Sequence, residues 1–245
     1  MARIECAAGC PVCQKGTVEF LLQGVIQAFR LLFSGDPETF SAVAATVKAS
    51  SFSMAASLVL GVPLGFALGH LRFPGRRQLR LAVDTMLALP TVFIGLMVYA
   101  FISRQGPFGE MGLLFTLPGI ALGQTLLALP IVIALSATAV EGMEAGLRTT
   151  LISLGAGRRR LLVSSLWEVR HGILAAALTA YGRVMTEVGI SMMVGGNIKW
   201  HTRTITTAIA LETGKGMFAT GIALGLVLLL IAFAVTLPAS LLRRK

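Results

Sequence analysis

The sequence predicts an all-α protein that crosses a lipid bilayer several times. Of its 245 residues, 55% are hydrophobic and only 13% are charged, and the mean hydropathy is +0.81. That composition is too apolar for a water-soluble domain of this size. Apolar stretches of about 20 residues recur along the chain, and a helix of that length crosses the roughly 30 Å hydrocarbon core of a bilayer. Together these observations predict a polytopic membrane protein with five transmembrane helices.

The N-terminal part of the chain differs from the rest. Residues 1–17 lack the apolar core of a signal peptide, and we expect an unstructured leader there. This segment contains all three cysteines, Cys6, Cys10 and Cys13. A closed zinc site needs four ligands, so a redox or metal role for them is an alternative hypothesis only. Residues 18–35 place apolar and polar side chains on opposite helical faces, which predicts an amphipathic helix lying on the membrane.

The remaining residues, 36–245, form the expected transmembrane domain. Asp36-Pro37 should start its first helix, because the missing N–H of proline costs little at the first helical position. Glycines within the spans permit close helix approach, and prolines mark bends or ends. The expected spans are approximately residues 41–70, 82–102, 118–140, 171–194 and 216–242.

The distribution of lysine and arginine predicts the orientation. These residues concentrate in the loops at 70–80 and 141–170 and in the tail at 243–245. Basic loops stay in the cytoplasm, so five spans place the N-terminus outside and the C-terminus inside a cytoplasmic (inner) membrane. Membrane topology thus accounts for the formal charge of +10. Since the basic residues are not interleaved with aromatic ones, we exclude nucleic-acid binding.

The loop at 141–170 reads as a helix, a glycine turn and a basic second helix. The turn is Leu154-Gly155-Ala156-Gly157, where glycine can adopt the left-handed conformation that ends a helix. Arg158-Arg159-Arg160 follow directly. An ordinary basic loop that only fixes topology is one interpretation. The apolar helix faces beside the turn favour the other, in which a soluble partner docks on this loop.

Two charged residues, Arg183 and Glu187, lie four apart near the middle of the fourth span. One unpaired charge in lipid costs at least about 2.5 kcal/mol, so both must face protein or water. One interpretation is an ion pair, mutual or to a neighbouring helix, that only holds the fold. The other is a role in a substrate pathway or its gate, together with the polar residues Thr91, Thr186 and Ser191. Such hydroxyls also bond backbone carbonyls in many membrane helices. We predict no catalytic residue and no metal site.

Several C-terminal motifs carry a family resemblance. Tyr181-Gly182-Arg183-Val184-Met185-Thr186-Glu187-Val188-Gly189, Met192-Met193-Val194-Gly195-Gly196-Asn197-Ile198 and Thr202-Arg203-Thr204-Ile205-Thr206-Thr207-Ala208-Ile209 are the most specific. They resemble the tungstate branch of the molybdate and tungstate permeases of ATP-binding-cassette (ABC) importers. The loop Leu154-Gly155-Ala156-Gly157 resembles the molybdate-type coupling motif, although Thr149-Thr150-Leu151 stand where the general motif has Glu-Ala-Ala. The resemblance covers roughly residues 18–242.

The resemblance implies a homodimer with the type I importer permease (MetI-like) fold. It also implies two ABC ATPase subunits docked on the coupling region 141–170, and an extracytoplasmic oxyanion-binding protein on the other side of the bilayer. The helix carrying Arg183 and Glu187 would line the path at the dimer centre. The residues expected to couple to the ATPase are Glu144, Arg148, Thr149, Thr150, Leu154, Gly155, Ala156, Gly157, Arg158, Arg159 and Arg160.

The function implied is import of tungstate, or a similar tetrahedral oxyanion, by ATP-driven alternating access. The chain contains no phosphate-cradling G-x-x-x-x-G-K-[ST] loop, so we expect no enzyme activity and no cofactor in it, with ATP-Mg bound by the partner subunit. Molybdate or another oxyanion is an alternative substrate. An ion-coupled secondary transporter is a further alternative, although such proteins usually show inverted repeats and intramembrane carboxylates.

Overall fold

The computed structural model describes residues 25–26, 36–71, 73–142 and 157–242. Within these ranges the chain is helical and contains no strand, which confirms the all-α prediction. A single 3-10 turn spans Gly109–Met111. The α-helices are α1 (Pro37–His70), α2 (Arg76–Met86), α3 (Thr91–Ile102), α4 (Leu117–Glu141), α5 (Arg158–Glu168), α6 (Arg170–Met185), α7 (Gly189–Gly195), α8 (Ile205–Gly214) and α9 (Phe218–Leu242).

Three of these helices, α1, α4 and α9, are long and apolar enough to cross a membrane. Two helix pairs qualify only together, because α2 and α3 are bent by 97° and α6 and α7 by 57°. The described residues therefore hold three membrane-crossing helices, or up to five if each bent pair is one span. The segments 82–102 and 171–194, which the sequence predicts as single spans, are both interrupted helices.

Parts of the predicted architecture lie outside the described residues. The leader at 1–17 does so entirely. Of the predicted interfacial helix at 18–35, only Val25 and Ile26 are described, and both are helical and exposed.

Helix α1 begins at Pro37, the position that the sequence predicts. Asp36 caps it, since its carboxylate accepts hydrogen bonds from Thr39 N at 2.9 Å and Thr39 Oγ1 at 2.6 Å. The hydroxyl bond from Thr39 is the main reason why the pKa of Asp36 lies below its ordinary value. This cap fixes the start of the longest helix of the described chain.

Helices α1 and α4 run parallel and pack through a stripe of glycines on α1. A methyl group added at Gly65 would lie only 2.7 Å from Ile133 O and from Ser136 Cβ. Gly61 and Gly69 face Val132 and Val140 equally closely, at 2.8 and 2.7 Å. Only glycine lets the two backbones approach this near. The pair is therefore a tightly fitted scaffold of two uninterrupted helices.

Helix α7 packs between α3 and α4, also through glycines. A methyl group at Gly95 of α3 would lie 3.2 Å from Ile190 Cα, and one at Gly123 of α4 would lie 2.5 Å from Ile190 Cγ2. Ile190 is fully buried in a cluster with Ile94, Val98 and Val194. This apolar contact brings the interruptions of the two bent pairs together.

The two ends of the bundle carry different charged clusters. At the arginine-rich end, Arg76 and Arg80 of α2 bind Glu141 at the end of α4. At the opposite end, Glu38 near the start of α1 pairs with Lys199 and Arg203, which lie in the segment between α7 and α8. Each cluster ties distant parts of the chain into one bundle.

Candidate gate at two helix breaks

The break between α6 and α7 is organised around Glu187. Its side chain is only 4% exposed, and Oε1 accepts a hydrogen bond from Ile190 N at 3.2 Å. The carboxylate thereby satisfies one free N–H of the first turn of α7, where the capping position holds Val188, which has no side-chain acceptor. Glu187 therefore stabilises the start of the second half-helix.

The backbone of Glu187 is held as firmly as its side chain. Its carbonyl oxygen accepts hydrogen bonds from Thr206 Oγ1 at 3.0 Å and from Ser191 Oγ at 3.3 Å. A helix break leaves carbonyls without their usual partners, and an unpaired buried carbonyl is costly. Both hydroxyls are buried, so the fold itself supplies the hydrogen-bond donors that this carbonyl needs at the interruption.

The break between α2 and α3 lies against the break between α6 and α7. Pro90 precedes α3 and lacks an N–H, which explains why the helix is interrupted there. Thr91 is the first residue of α3. A methyl group added at Gly189 would lie 3.3 Å from Thr91 Oγ1, 3.1 Å from Val92 Cγ2 and 3.2 Å from Glu187 Oε1. The Thr91 hydroxyl and the Glu187 carboxylate thus border the same glycine.

Arg183 lies apart from Glu187. None of the ion pairs within the described residues joins the two, although a mutual pair was one of the two interpretations of their spacing. Helix α6 ends at Met185, so a four-residue separation no longer places both side chains on one helical face. Arg183 is exposed while Glu187 is buried. The carboxylate and the guanidinium therefore occupy different environments.

The other predicted polar residues divide between the two environments. Thr186 is exposed, and its hydroxyl donates to Gly182 O at 3.1 Å and Arg183 O at 3.2 Å. Ser191 is buried and bonds Glu187 O, and Thr91 is half-buried. The structure thus brings Thr91, Glu187 and Ser191 together, and it leaves Arg183 and Thr186 on an exposed face beside them.

Sequence reasoning missed the role of Thr206. It lies in a run of buried threonines that also includes Thr202, Thr204 and Thr207. Thr204 and Thr207 form a capping box at the start of α8. Thr46 of α1 accepts a hydrogen bond from Ile205 N at 2.9 Å, so this run links α1, α8 and the Glu187 break. The repeated threonines that follow the fourth span in the sequence are the pattern that could have predicted this role.

Further polar side chains are buried between α1 and α4. Ser57 Oγ donates to Thr125 O at 3.4 Å, and Thr125 Oγ1 bonds Ala121 O at 2.7 Å. Ser53 Oγ and Gln124 Oε1 are buried and have no hydrogen-bond partner among the described residues. Buried polar groups are costly in a bilayer, so this seam belongs to the protein interior rather than to a lipid-facing surface.

Most of the predicted coupling region lies outside the described residues. This applies to Glu144, Arg148, Thr149, Thr150, Leu154, Gly155 and Ala156. The description resumes at Gly157, and α5 begins at Arg158. Arg158, Arg159 and Arg160 therefore occupy the first turn of a helix.

Helix α5 also exposes apolar side chains. Val163, Leu166 and Trp167 are 61%, 45% and 68% exposed. Val163 and Leu166 line a cavity of about 320 Å³ together with Val62, Pro63 and Phe66 of α1. Among the described residues, no cluster of histidine, cysteine, aspartate or glutamate has a metal-binding arrangement. Cys6, Cys10 and Cys13 lie outside the described residues.

The sequence is similar to those of several oxyanion permeases. No family model matches the chain. The tungstate uptake system permease protein TupB of Campylobacter jejuni is 47% identical over 93% of this chain and 95% of its own length. TupB of Peptoclostridium acidaminophilum is 34% identical over 89% of this chain and 96% of its own. The molybdenum transport system permease protein ModB of Escherichia coli K12 is 30% identical over 71% of this chain and 79% of its own.

Solved structures share the fold. An inward-facing MetNI methionine ABC transporter matches with a TM-score of 0.70 at 19% identity, over 85% of this chain and 97% of that chain. A bacterial ABC transporter that imports the acidic polysaccharide alginate matches with a TM-score of 0.73 at 17% identity, over 94% of this chain and 89% of that one. At these identities the likeness establishes the fold, which is that of ABC importer permeases.

Proposed function

Because the chain belongs to the family of ABC importer permeases that take up tungstate and molybdate, we propose that it moves tungstate into the cytoplasm by ATP-driven alternating access. The observation that carries this proposal is the 47% identity to a tungstate permease over 93% of the chain. The molybdenum permease is only 30% identical, over 71% of it. This difference favours tungstate over molybdate as the substrate.

The proposed assembly is a homodimer in the inner membrane. Two separate ATPase subunits bind ATP-Mg and dock on the coupling region 141–170, and an oxyanion-binding protein docks on the extracytoplasmic side. The arginine-rich end of the bundle then faces the cytoplasm, with the N-terminus outside and the C-terminus inside. Helices α1 and α4 run parallel, so the chain must cross the membrane once between them. The bent pair α2–α3 can make this crossing, which supports counting each bent pair as one span and a total of five crossings.

The start of α5 supports the docking of an ATPase. Arg158, Arg159 and Arg160 lie in its first turn, where the helix dipole already carries partial positive charge. Each cation there is unfavourable in an isolated helix, by about 0.3–1 kcal/mol. An acidic groove on a partner would offset this cost. Leu166 and Trp167, exposed on the same helix, provide apolar contact area for that partner.

The proposed path and gate comprise Thr91, Arg183, Thr186, Glu187 and Ser191. Exposed Arg183 offers a cation to an anion, exposed Thr186 lies on the same exposed face, and the Glu187 side chain is buried at the break. A tight cationic site in the middle of the path would trap a doubly charged oxyanion. Weak sites let it pass, so high affinity belongs to the binding protein. Interrupted helices suit a gate because each half can rotate about the break.

The test is uptake of labelled tungstate by proteoliposomes that contain the chain with its ATPase and binding protein. We expect uptake that requires ATP hydrolysis and that excess unlabelled tungstate blocks more strongly than molybdate does. Stronger block by molybdate would overturn the choice of substrate. Tungstate movement by the chain without the ATPase would instead identify an ion-coupled secondary transporter.

A further inference from the structure

Helix α2 is held in place mainly by two arginines. It has 11 residues, and Val83 is the only one of them that is buried. A helix of this length is marginal without tertiary contacts. Arg76 and Arg80 supply those contacts, since both reach from α2 to the ends of neighbouring helices. The position of α2 therefore depends on these two arginines and on the apolar contacts of Val83 with Leu68, Ala134 and Ala137.

Arg76 ties α2 to two helix ends at once. Its Nε donates to Leu68 O at 2.7 Å and its Nη2 to Gly69 O at 3.1 Å, both in the last turn of α1. The same Nη2 lies 2.7 Å from Glu141 Oε1, at the end of α4. A guanidinium is well suited to this position because the terminal carbonyls of a helix carry partial negative charge.

Arg80 adds further anchors to α4. Its Nη1 donates to Ala134 O at 3.1 Å and its Nη2 to Thr138 Oγ1 at 2.7 Å. Nη1 also lies 3.9 Å from Glu141 Oε2. We call Arg76, Arg80 and Glu141 the Glu141 clamp. Through it, α2 is joined to the C-terminal turns of α4.

The two ends of this connection lie at functionally important places. Glu141 is the last residue of α4 and leads directly into the coupling region. The far end of α2 leads through Pro90 to Thr91, which borders Gly189 and the Glu187 break. The buried side chain of α2, Val83, also packs against Ala134 and Ala137 of α4, so it joins α2 to the same helix as the clamp does. The clamp, α2 and Thr91 thus form one continuous physical connection from the coupling region to the proposed gate.

We propose that the Glu141 clamp transmits movement of the coupling region to the gate, by making α2 move with the end of α4. This rests on the proposed function, since it assumes an ATPase that moves the coupling region. The Arg76–Glu141 pair is partly exposed, with side chains 30% and 37% exposed, and such pairs add little to overall stability. Its loss should therefore affect coupling much more than folding.

The experiment compares Glu141→Gln with Asp84→Asn in the complete reconstituted transporter. Asp84 is the matched control, because it also binds Arg80, at 3.2 Å, but lies on α2 itself and joins no second helix within the described part of the chain. The measured quantity is tungstate transported per ATP hydrolysed, with thermal stability recorded alongside. We expect Glu141→Gln to lower this ratio about fivefold at unchanged stability, a coupling loss of ordinary size. Glu141→Asp should retain part of the ratio, and Asp84→Asn should leave it unchanged.

An unchanged ratio in Glu141→Gln, or an equal fall in Asp84→Asn, would overturn the clamp proposal. If Glu141→Gln fails to assemble, Thr138→Val removes an Arg80 partner on α4 more mildly and should lower the ratio about twofold. An unchanged ratio in Thr138→Val would then overturn the proposal. Absence of ATP-dependent uptake in the unmodified transporter would instead contradict the proposed function, so the two failures are distinguishable.

Discussion

The α1–α4 pair and the crossing of α3 with α7 use glycine contacts for different purposes. In the α1–α4 pair, Gly61, Gly65 and Gly69 bring two uninterrupted helices together over several turns. At the crossing, Gly95 and Gly189 bring together two helices that begin at breaks. Long matched surfaces resist sliding, whereas short half-helices can rotate about their breaks. On the proposed function, we expect the α1–α4 pair to be the scaffold of the bundle and the crossing to be the part that moves.

The largest expected effect is on the scaffold. Gly65→Ala places a methyl group 2.7 Å from a backbone oxygen of α4, so the helices must separate. We expect a loss of about 1–3 kcal/mol in the free energy of unfolding, as overpacking usually causes. The control is Gly225→Ala, because nothing lies within 4 Å of the added methyl group there. Thermal unfolding in detergent measures both, and equal stability of the two variants would contradict the scaffold assignment.

Substitutions at Glu187 test the role of the α3–α7 crossing through their effect on transport. Glu187→Leu removes the acceptor for Ile190 N, whereas Glu187→Gln keeps an acceptor of the same size. We expect Leu to lower ATP-driven uptake about tenfold, equivalent to about 1.4 kcal/mol, and Gln to lower it less. Uptake assays in proteoliposomes provide the measurement. Uptake at the wild-type rate in the Glu187→Leu variant would show that Glu187 is not part of the gate.

A smaller effect should follow from crowding the crossing without breaking a hydrogen bond. Gly123→Ala directs a methyl group to 2.5 Å from Ile190 Cγ2, which is a side-chain atom rather than backbone. Combining it with Ile190→Ala should restore space. We expect Gly123→Ala to reduce uptake about threefold and the double variant to recover part of it, as contacting residues are not additive. If the double variant recovers none of the lost uptake, Gly123 acts through a neighbour other than Ile190.

The smallest effect concerns the cap of α1. The hydrogen bond from Thr39 lowers the pKa of Asp36, so its contribution to stability is present above its ordinary pKa of 3.8 and is lost as pH falls through the lower folded value. Asp36→Ala should cost about 0.5–1 kcal/mol at neutral pH, since the cap is partly exposed. Unfolding measured from pH 6 down to pH 3 should show the two proteins converging. A constant difference would show that ionisation of Asp36 is irrelevant.

The uninterrupted spans were predictable from the sequence. Apolar length alone predicts helices at 41–70, 118–140 and 216–242, and the structure has helices at Pro37–His70, Leu117–Glu141 and Phe218–Leu242. Such helices satisfy their own backbone hydrogen bonds, so the local pattern is sufficient.

The breaks were only partly predictable. Pro90 predicts one interruption, since a helix usually ends at or before the residue that precedes a proline. The other depends on Thr206, which lies 19 residues beyond Glu187 in the chain and supplies a donor for its carbonyl. A contact between residues this far apart in the chain leaves no periodic pattern in the sequence. For the same reason, the spacing of Arg183 and Glu187 suggested an ion pair that would require an unbroken helix.

We infer that the Glu187 break lines a path that opens and closes with ATP. The direct measurement is labelling of Thr186→Cys by a membrane-impermeant thiol reagent in the reconstituted transporter, with Cys6, Cys10 and Cys13 replaced by serine. Val59→Cys is the control, since Val59 is 71% exposed on the apolar helix α1. We expect Thr186→Cys to react and trapping of the ATP-bound state to change its labelling rate about fivefold, while Val59→Cys stays unlabelled. Equal inertness of both cysteines in both states would contradict it.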